Sequence, residues 1–269
     1  MARSDALLIA RRTAPAAFHV DPLPLDGRLL MERDRARLLA LEAHPERGPS
    51  LVLYRWREPT LSLGYVQREE RVLDAEAVAR AHLPVVRRPT GGRAILHVNE
   101  WTYAAVVPID DAAVGGGLAR SLAALSGIVA EALAAIGVDA VPVRERATRP
   151  ARAGAADAAC FAQAVGYELT VDGRKLAGAA QRRLARALLQ QGTLLAGPGH
   201  ERLADFLRGD ERKKQSAGER LRAGTVTVEE VLGREPDFEA FARALERSWT
   251  RALASASPGV FLDTPTHAT

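Results

Sequence analysis

Tyr167-Glu168-Leu169-Thr170-Val171-Asp172-Gly173-Arg174-Lys175-Leu176-Ala177-Gly178 decides how the middle of this 269-residue chain folds. Asp172-Gly173 stands between two runs of strand-forming residues. A two-residue hairpin turn needs positive φ at its centre, which Asp and Gly tolerate, so the pair predicts antiparallel strands over 165–171 and 174–180. The turn also sets the register and places Thr170 opposite Lys175.

Working outward, Leu51–Trp56, Val85–Arg88, Ala94–His97, Thr102–Val107 and Leu188–Leu195 read as further strands, and Pro59–Gly64 as an extended segment. Residues 26–44 read as a helix with Leu29, Leu30, Leu38 and Leu41 on one side. Arg71–His82 reads as a second helix. Leu118–Ile136 is a third, its apolar face made by Leu118, Leu122, Leu125, Val129, Leu133 and Ile136. His200–Arg208 reads as a short helix and 209–224 as a polar, exposed crossing. Thr227-Val-Glu-Glu230 carries a capping-box pattern, and a last helix spans 237–255 with Phe238, Phe241, Leu245 and Trp249 on one face. Residues 144–159 lack periodicity and read as a loop. This mixture predicts an α+β fold, a mixed or antiparallel sheet packed with helices. We expect an N-terminal extension over 1–25, one catalytic domain over 26–255 and a tail over 256–269.

Composition narrows the function. Apolar residues make up 47% of the chain, enough for a sizeable core. The net charge is +4 and the arginines are spread along the chain, without a basic block interleaved with aromatics. That argues against a nucleic-acid partner and fits an acidic protein partner. A single cysteine excludes an internal disulfide and a Cys-rich metal site. No apolar run approaches the ~20 residues that cross a membrane. Met1–Phe18 lacks a signal-peptide core, so the expected location is a reducing cytoplasm.

Two segments carry candidate chemistry. Of 37 basic residues only Lys175, Lys213 and Lys214 are lysines, and the only thiol is Cys160. A thiolate beside an ammonium is an activated nucleophile with a proton carrier at hand, which makes Cys160 and Lys175 the candidate catalytic pair. The hairpin alone does not join them, because ten extended residues span ~33 Å. Their meeting requires the segment before Val165 to fold back. The second segment is Arg87-Arg88-Pro89-Thr90-Gly91-Gly92-Arg93-Ala94-Ile95-Leu96-His97. Paired glycines between strands let backbone N–H groups approach an anion or a developing oxyanion, and flanking arginines add positive charge. Gly178 with Ala179 and Ala180 leaves room for a narrow ligand. His97 is open to two readings, a base or a hydrogen-bonded structural residue.

Arg88-Pro-Thr-Gly-Gly-Arg-Ala-Ile-Leu-His97, Cys160-Phe, Tyr167-Glu168-Leu, Gly173-Arg-Lys-Leu-Ala-Gly178, Ala180-Gln-Arg182 and Leu189-Gln-Gln-Gly192 follow one another in an order that resembles the lipoate/biotin ligase and octanoyltransferase superfamily. Trp56 with Pro59-Thr-Leu-Ser-Leu-Gly64-Tyr-Val-Gln67 adds an earlier signature. The Cys-Phe and Ala-Gln-Arg elements look most like the bacterial octanoyl-acyl carrier protein:protein N-octanoyltransferases that serve glycine-cleavage H protein. The resemblance implies a biotin/lipoate ligase-like domain. It also implies that Cys160 takes octanoyl from acyl carrier protein as a thioester, that Lys175 holds the acyl carbonyl, and that a lysine of a lipoyl domain receives the group, without cofactor or metal. Gly64, Arg88, Gly91, Gly92, Arg93, Ala94, Leu96, His97, Gly178 and Gln181 are the implied substrate-binding positions, with Gly64, Ala94, Leu96 and Gly178 lining an acyl slot. Two alternatives share the fold: an ATP-dependent lipoate–protein ligase, and octanoyl transfer between lipoyl domains. The chain departs from the family pattern at Gly178-Ala-Ala-Gln181 (commonly Gly-Ser-Ala-Gln), at Gln190-Gln-Gly-Thr193 (commonly Gln-His-Gly-Ser) and at Trp101 (commonly Leu).

Overall fold

The Asp172-Gly173 turn forms as the sequence predicts, with φ of +50° and +76° at its two residues. In the computed structural model, which describes residues 16–144 and 167–255, it joins β8 (Tyr167–Val171) to β9 (Arg174–Arg183). Thr170 pairs with Lys175 as expected. One step further the ladder slips: Leu169 pairs with Ala177, leaving Leu176 as an inserted residue. Such a bulge turns two consecutive side chains to one face. Leu176 and Ala177 accordingly both enter the main core.

Among the described residues the hairpin belongs to a seven-stranded sheet. Its other strands are β1 (Ala17–Val20), β2 (Ser50–Tyr54), β6 (Glu100–Pro108), β7 (Val141–Arg144) and β10 (Ala187–Leu195). The order is β1-β2-β6-β10-β9-β8-β7, antiparallel except for β1 with β2. A second sheet holds β3 (Thr60–Leu63) between β4 (Val85–Arg87) and β5 (Ile95–His97). The expected mixed α+β architecture is therefore present. No sequence signal announced β1 or β7.

Helices cover the large sheet on both faces. On one side α4 (Leu118–Ala134) and α7 (Phe238–Ser255) bury Leu125, Val129, Phe241, Leu245 and Trp249 against Leu53, Trp101 and Tyr103. Trp101, the unusual tryptophan, is a core residue whose ring stacks on Phe241 at 4.8 Å. On the other side α1 (Gly27–Ala43) packs Leu30, Met31, Leu38 and Leu41 on Val52, Tyr54 and Leu189. Asp26 caps α1 by accepting from the backbone N–H of Arg28. Leu29, expected on the buried face, is half exposed. It lies about 100° round the helix from Leu30, and the stripe through residues 30, 34, 38 and 41 wins.

Two further expectations need correction. The helix expected over 71–82 is broken into α2 (Glu69–Val72) and α3 (Ala75–Arg80). Leu73 is extended and bridges to Leu207, while Asp74 caps the restart through the N–H of Ala77. The crossing expected over 209–224 is instead helix α5 (Glu211–Gly224), capped by Asp210 and buried along Ala217, Gly218 and Leu221. That stripe is too narrow to outweigh the surrounding charges when only sequence is read. The turn before α6 (Val228–Leu232) does form the capping box predicted at Thr227 and Glu230. Residues 145–166, which contain most of the expected loop and Cys160, lie outside the described residues.

Candidate active site

The bulge shapes the site. Because Leu176 and Ala177 both face the core, Lys175 and Gly178 share the opposite face of β9. A Cβ added at Gly178 would stand 2.9 Å from Lys175 Cε, so the lysine side chain lies across the space that glycine leaves. Glu168 stands directly opposite Gly178 in the ladder, and the buried Lys175 ammonium donates to its carboxylate. The lysine backbone is held as well. Its carbonyl accepts from Val226 N–H at 3.0 Å, beside Thr225, whose hydroxyl meets His200 Nε2 at 2.7 Å.

The strand continues from this pair under the glycine loop that joins β4 to β5. Gly92, at φ +92°, lies over Ala180: a Cβ there would come within 3.8 Å of the alanine methyl. Gly91 faces open space. Arg88 is buried and binds the loop from behind. It donates to the Gly91 and Arg93 carbonyls at 3.0 and 2.7 Å, and to the Ser62 carbonyl and hydroxyl. Thr90 donates to Gln191 Oε1 at 2.6 Å, and Gln191 in turn donates to Asp34 on α1 at 2.8 Å. Burial pushes the Asp34 carboxyl up, against the opposing pull of Arg37, Gln191 and Tyr54. From below, Gly64 touches the loop so closely that a Cβ would be 2.0 Å from the Gly92 carbonyl oxygen.

His97 is fully buried beneath this loop, its ring stacked 3.8 Å from that of Trp56. The hydrogen bonds fix its tautomer. The Glu100 carboxylate can only accept, so the proton of the neutral ring sits on Nδ1 and Nε2 accepts from Ser62 Oγ, 2.6 Å away, while Ser62 Oγ accepts from Arg88. Nδ1–H then donates to Glu100 Oε1 at 2.7 Å, which also accepts from Thr102, whose hydroxyl accepts from Trp56 Nε1. Desolvation lowers the His97 pKa, outweighing the raising effect of Glu100. Of the two readings of His97, the geometry matches the structural one. A histidine that is neutral when folded and protonated when unfolded makes stability fall as pH drops below the unfolded value of about 6.5. His97→Gln is expected to flatten that loss by up to about 1.4 kcal/mol per pH unit, read from urea midpoints between pH 7 and 5. An unchanged slope would refute this.

Close contacts thus run from Lys175 through Gly178 and Ala180 to Gly92 and Gly64 along one face of β9, the groove face, with Gly91 open and Arg88 and His97 behind the loop. Ala94 and Leu96 are buried in a core cluster with Leu61 and Leu63. Arg93 presents its carbonyl to Arg88. Gln181 is not brought to the groove. It lies on the other face of the sheet, donating to Gln190 Oε1 at 2.8 Å and bonded to Ser121 of α4, because strand residues alternate beyond the bulge. Sequence reasoning missed Glu168, Gln191, Thr90 and Ser62. A glutamate inside an apolar strand was the one available signal among them, since such a charge is buried only when paired. Among the described residues no group of three or more His, Cys, Asp or Glu is placed to hold a metal ion, and no helix is long and apolar enough to cross a membrane.

Residues 31–250 match the lipoyl protein ligase A/B catalytic domain family. An octanoyltransferase LipM from Exiguobacterium is 37% identical over 215 residues, covering 79% of this chain and 78% of that one. The Kyrpidia tusciae octanoyltransferase LipM is 34% identical over 232 residues, covering 85% and 84%. Among solved structures, a bi-partite lipoate protein ligase from Thermoplasma acidophilum superposes with a TM-score of 0.70 at 18% identity, over 90% of this chain and 84% of that one. The chain belongs to the lipoyl protein ligase A/B catalytic domain family and is an acyltransferase of its octanoyltransferase group.

Proposed function

We propose that the protein moves an octanoyl group from octanoyl-acyl carrier protein to a lysine of a lipoyl domain, such as glycine-cleavage H protein, through a thioester on Cys160. The observation that carries this reading is the buried Lys175 ammonium, set across Gly178 on the face of β9 that Gly92 covers at Ala180. An ammonium there is placed to polarise an acyl carbonyl where negative charge develops in the transition state. In the first step Cys160 sulfur bonds to the acyl carbon, the carrier's C–S bond breaks, and the carrier thiol leaves with the proton. In the second, the acceptor amine forms the C–N bond, the bond between the acyl carbon and the Cys160 sulfur breaks, and the sulfur takes the proton that the amine loses.

Exchange between thioesters is nearly isoenergetic and amide formation runs downhill, so neither step calls for ATP. Gly64, Gly91, Gly92 and Gly178 border the acyl path. Arg88, Arg93, Ala94, Leu96 and His97 keep the loop and the strand beneath it in place. Burying the tail contributes up to ~0.8 kcal/mol per CH₂. The thiol must stay reduced, which suits a reducing compartment such as the cytoplasm.

The test is intact-protein mass spectrometry after mixing with octanoyl-acyl carrier protein in the absence of ATP. An octanoyl adduct is expected on the parent protein and none on Cys160→Ala. Lack of an adduct, with modification of a lipoyl domain only when ATP and free lipoate are supplied, would sink the proposal in favour of a ligase.

A further inference from the structure

A cleft of about 550 Å³ opens between α1 and the segments of Tyr65, β4 and the end of β9. Met31, Leu38 and Leu39 of α1 form one wall, Val86 and Leu184 line its apolar floor, and Tyr65 stands opposite. Its charged lining residues are Arg28, Arg35, Arg87, Arg88 and Arg182 against the single acid Glu32. Arg88 is buried behind the glycine loop, so the cations at the mouth are Arg28 and Arg35 of α1, Arg87 of β4 and Arg182 of β9. Arg28 and Arg35 are exposed and form no ion pair among the described residues. Arg182 lies over the Tyr65 ring at 4.2 Å, and Arg87 donates to the Gly64 and Tyr65 carbonyls. The tyrosine platform is therefore fixed from two sides.

Leu39 and Tyr65 in its walls are 51% and 50% exposed, and the apolar surface continues past the cleft at Val66, 82% exposed. Apolar side chains exposed together and rimmed by one sign of charge mark an interaction surface. Spread cations fit a spread of carboxylates better than one small anion. The cleft also adjoins the proposed reaction path. Arg182 shares the groove face of β9 with Gly178 and Ala180, four residues or about 13 Å along the strand from Gly178. A protein docked here would lie beside that face of β9, within reach of a flexible thioester arm.

From this we infer that the cleft between α1 and the Tyr65 turn docks the acyl donor, an acidic carrier protein presenting an apolar side chain among carboxylates. The inference rests on the acyl-transfer reading above. It is tested on the full chain by comparing two donors, octanoyl-acyl carrier protein and the small thioester octanoyl-N-acetylcysteamine.

In Arg28→Glu/Arg35→Glu, KM for the carrier is expected to rise about tenfold or more with little change in kcat. Acylation by the small thioester, and transfer from the acyl-enzyme to a lipoyl domain, should stay within about twofold of the parent. Added salt should raise the parent's KM for the carrier more than the variant's. Arg35→Gln and Leu39→Asp, both at exposed positions, should move the same KM in the same direction. An unchanged KM for the carrier overturns the docking assignment, as does a defect confined to the lipoyl-domain step. A parent protein that accepts octanoyl from neither donor overturns the acyl-transfer reading, and the docking assignment with it.

Discussion

Lys175→Met is expected to abolish acyl transfer and to cost about 3–5 kcal/mol of stability. The second effect follows from burial. Lys175 and Glu168 are 5% and 3% exposed and paired with each other across the bulge. Removing the ammonium leaves a buried carboxylate without this cation. Glu168→Leu makes the complementary error and should cost a similar amount. The double variant Lys175→Met/Glu168→Leu removes both charges and sets two apolar side chains against each other on the face of Gly178, so most of the lost stability should return. Activity should not return, because the proposed carbonyl-binding cation is still missing. Urea midpoints together with single-turnover octanoyl transfer read the two quantities separately. If the double variant is as unstable as the sum of the singles, the pair is not coupled. If Lys175→Met keeps its transfer rate, the lysine has no part in the chemistry.

The same bulge explains what could and could not be read in advance. Asp172-Gly173 fixed the hairpin and the pairing of Thr170 with Lys175, because turn geometry is local. The extra residue at Leu176 was not legible. It answers a tertiary demand, that two adjacent side chains enter one core. By simple alternation from Lys175, Ala177, Ala179 and Gln181 would share its face. The insertion inverts that parity beyond Leu176, turning Gly178, Ala180 and Arg182 to the groove and Gln181 towards Ser121. Glu168 meets Lys175 for the same reason. The polar network under the loop was hidden differently. His97 and Ser62 are 35 residues apart and Thr90 and Gln191 101 apart, and no local pattern records such pairings. Gln191, one of the departures from the family pattern, turns out to tie the glycine loop to Asp34 of α1.

Gly64→Ala is expected to lower octanoyl transfer by about 10²-fold, the scale of a displacement near 1 Å at a reacting centre. The new methyl would stand 2.0 Å from the Gly92 carbonyl oxygen, 2.9 Å from its carbon and 3.2 Å from the carbon of Gly91. All three are backbone atoms, so no flexible side chain can swing aside. The backbone of Gly64 itself lies outside the positive-φ region and accepts alanine. The damage is thus transmitted wholly through the loop. That loop cannot retreat without loss. Arg88 holds the carbonyls of Gly91 and Arg93, the Thr90 carbonyl accepts from Tyr65 N–H at 2.9 Å, and the Thr90 hydroxyl is tied to Gln191. Gly91→Ala supplies the contrast, because its methyl would meet nothing within 4 Å. Its melting temperature should stay near the parent value, and any loss of rate would report a methyl intruding on bound acyl donor. Single-turnover transfer rates and thermal melts on the two variants decide the matter. A Gly64→Ala protein that transfers octanoyl at the parental rate would show that the contact between the two glycines does not set the loop's working position.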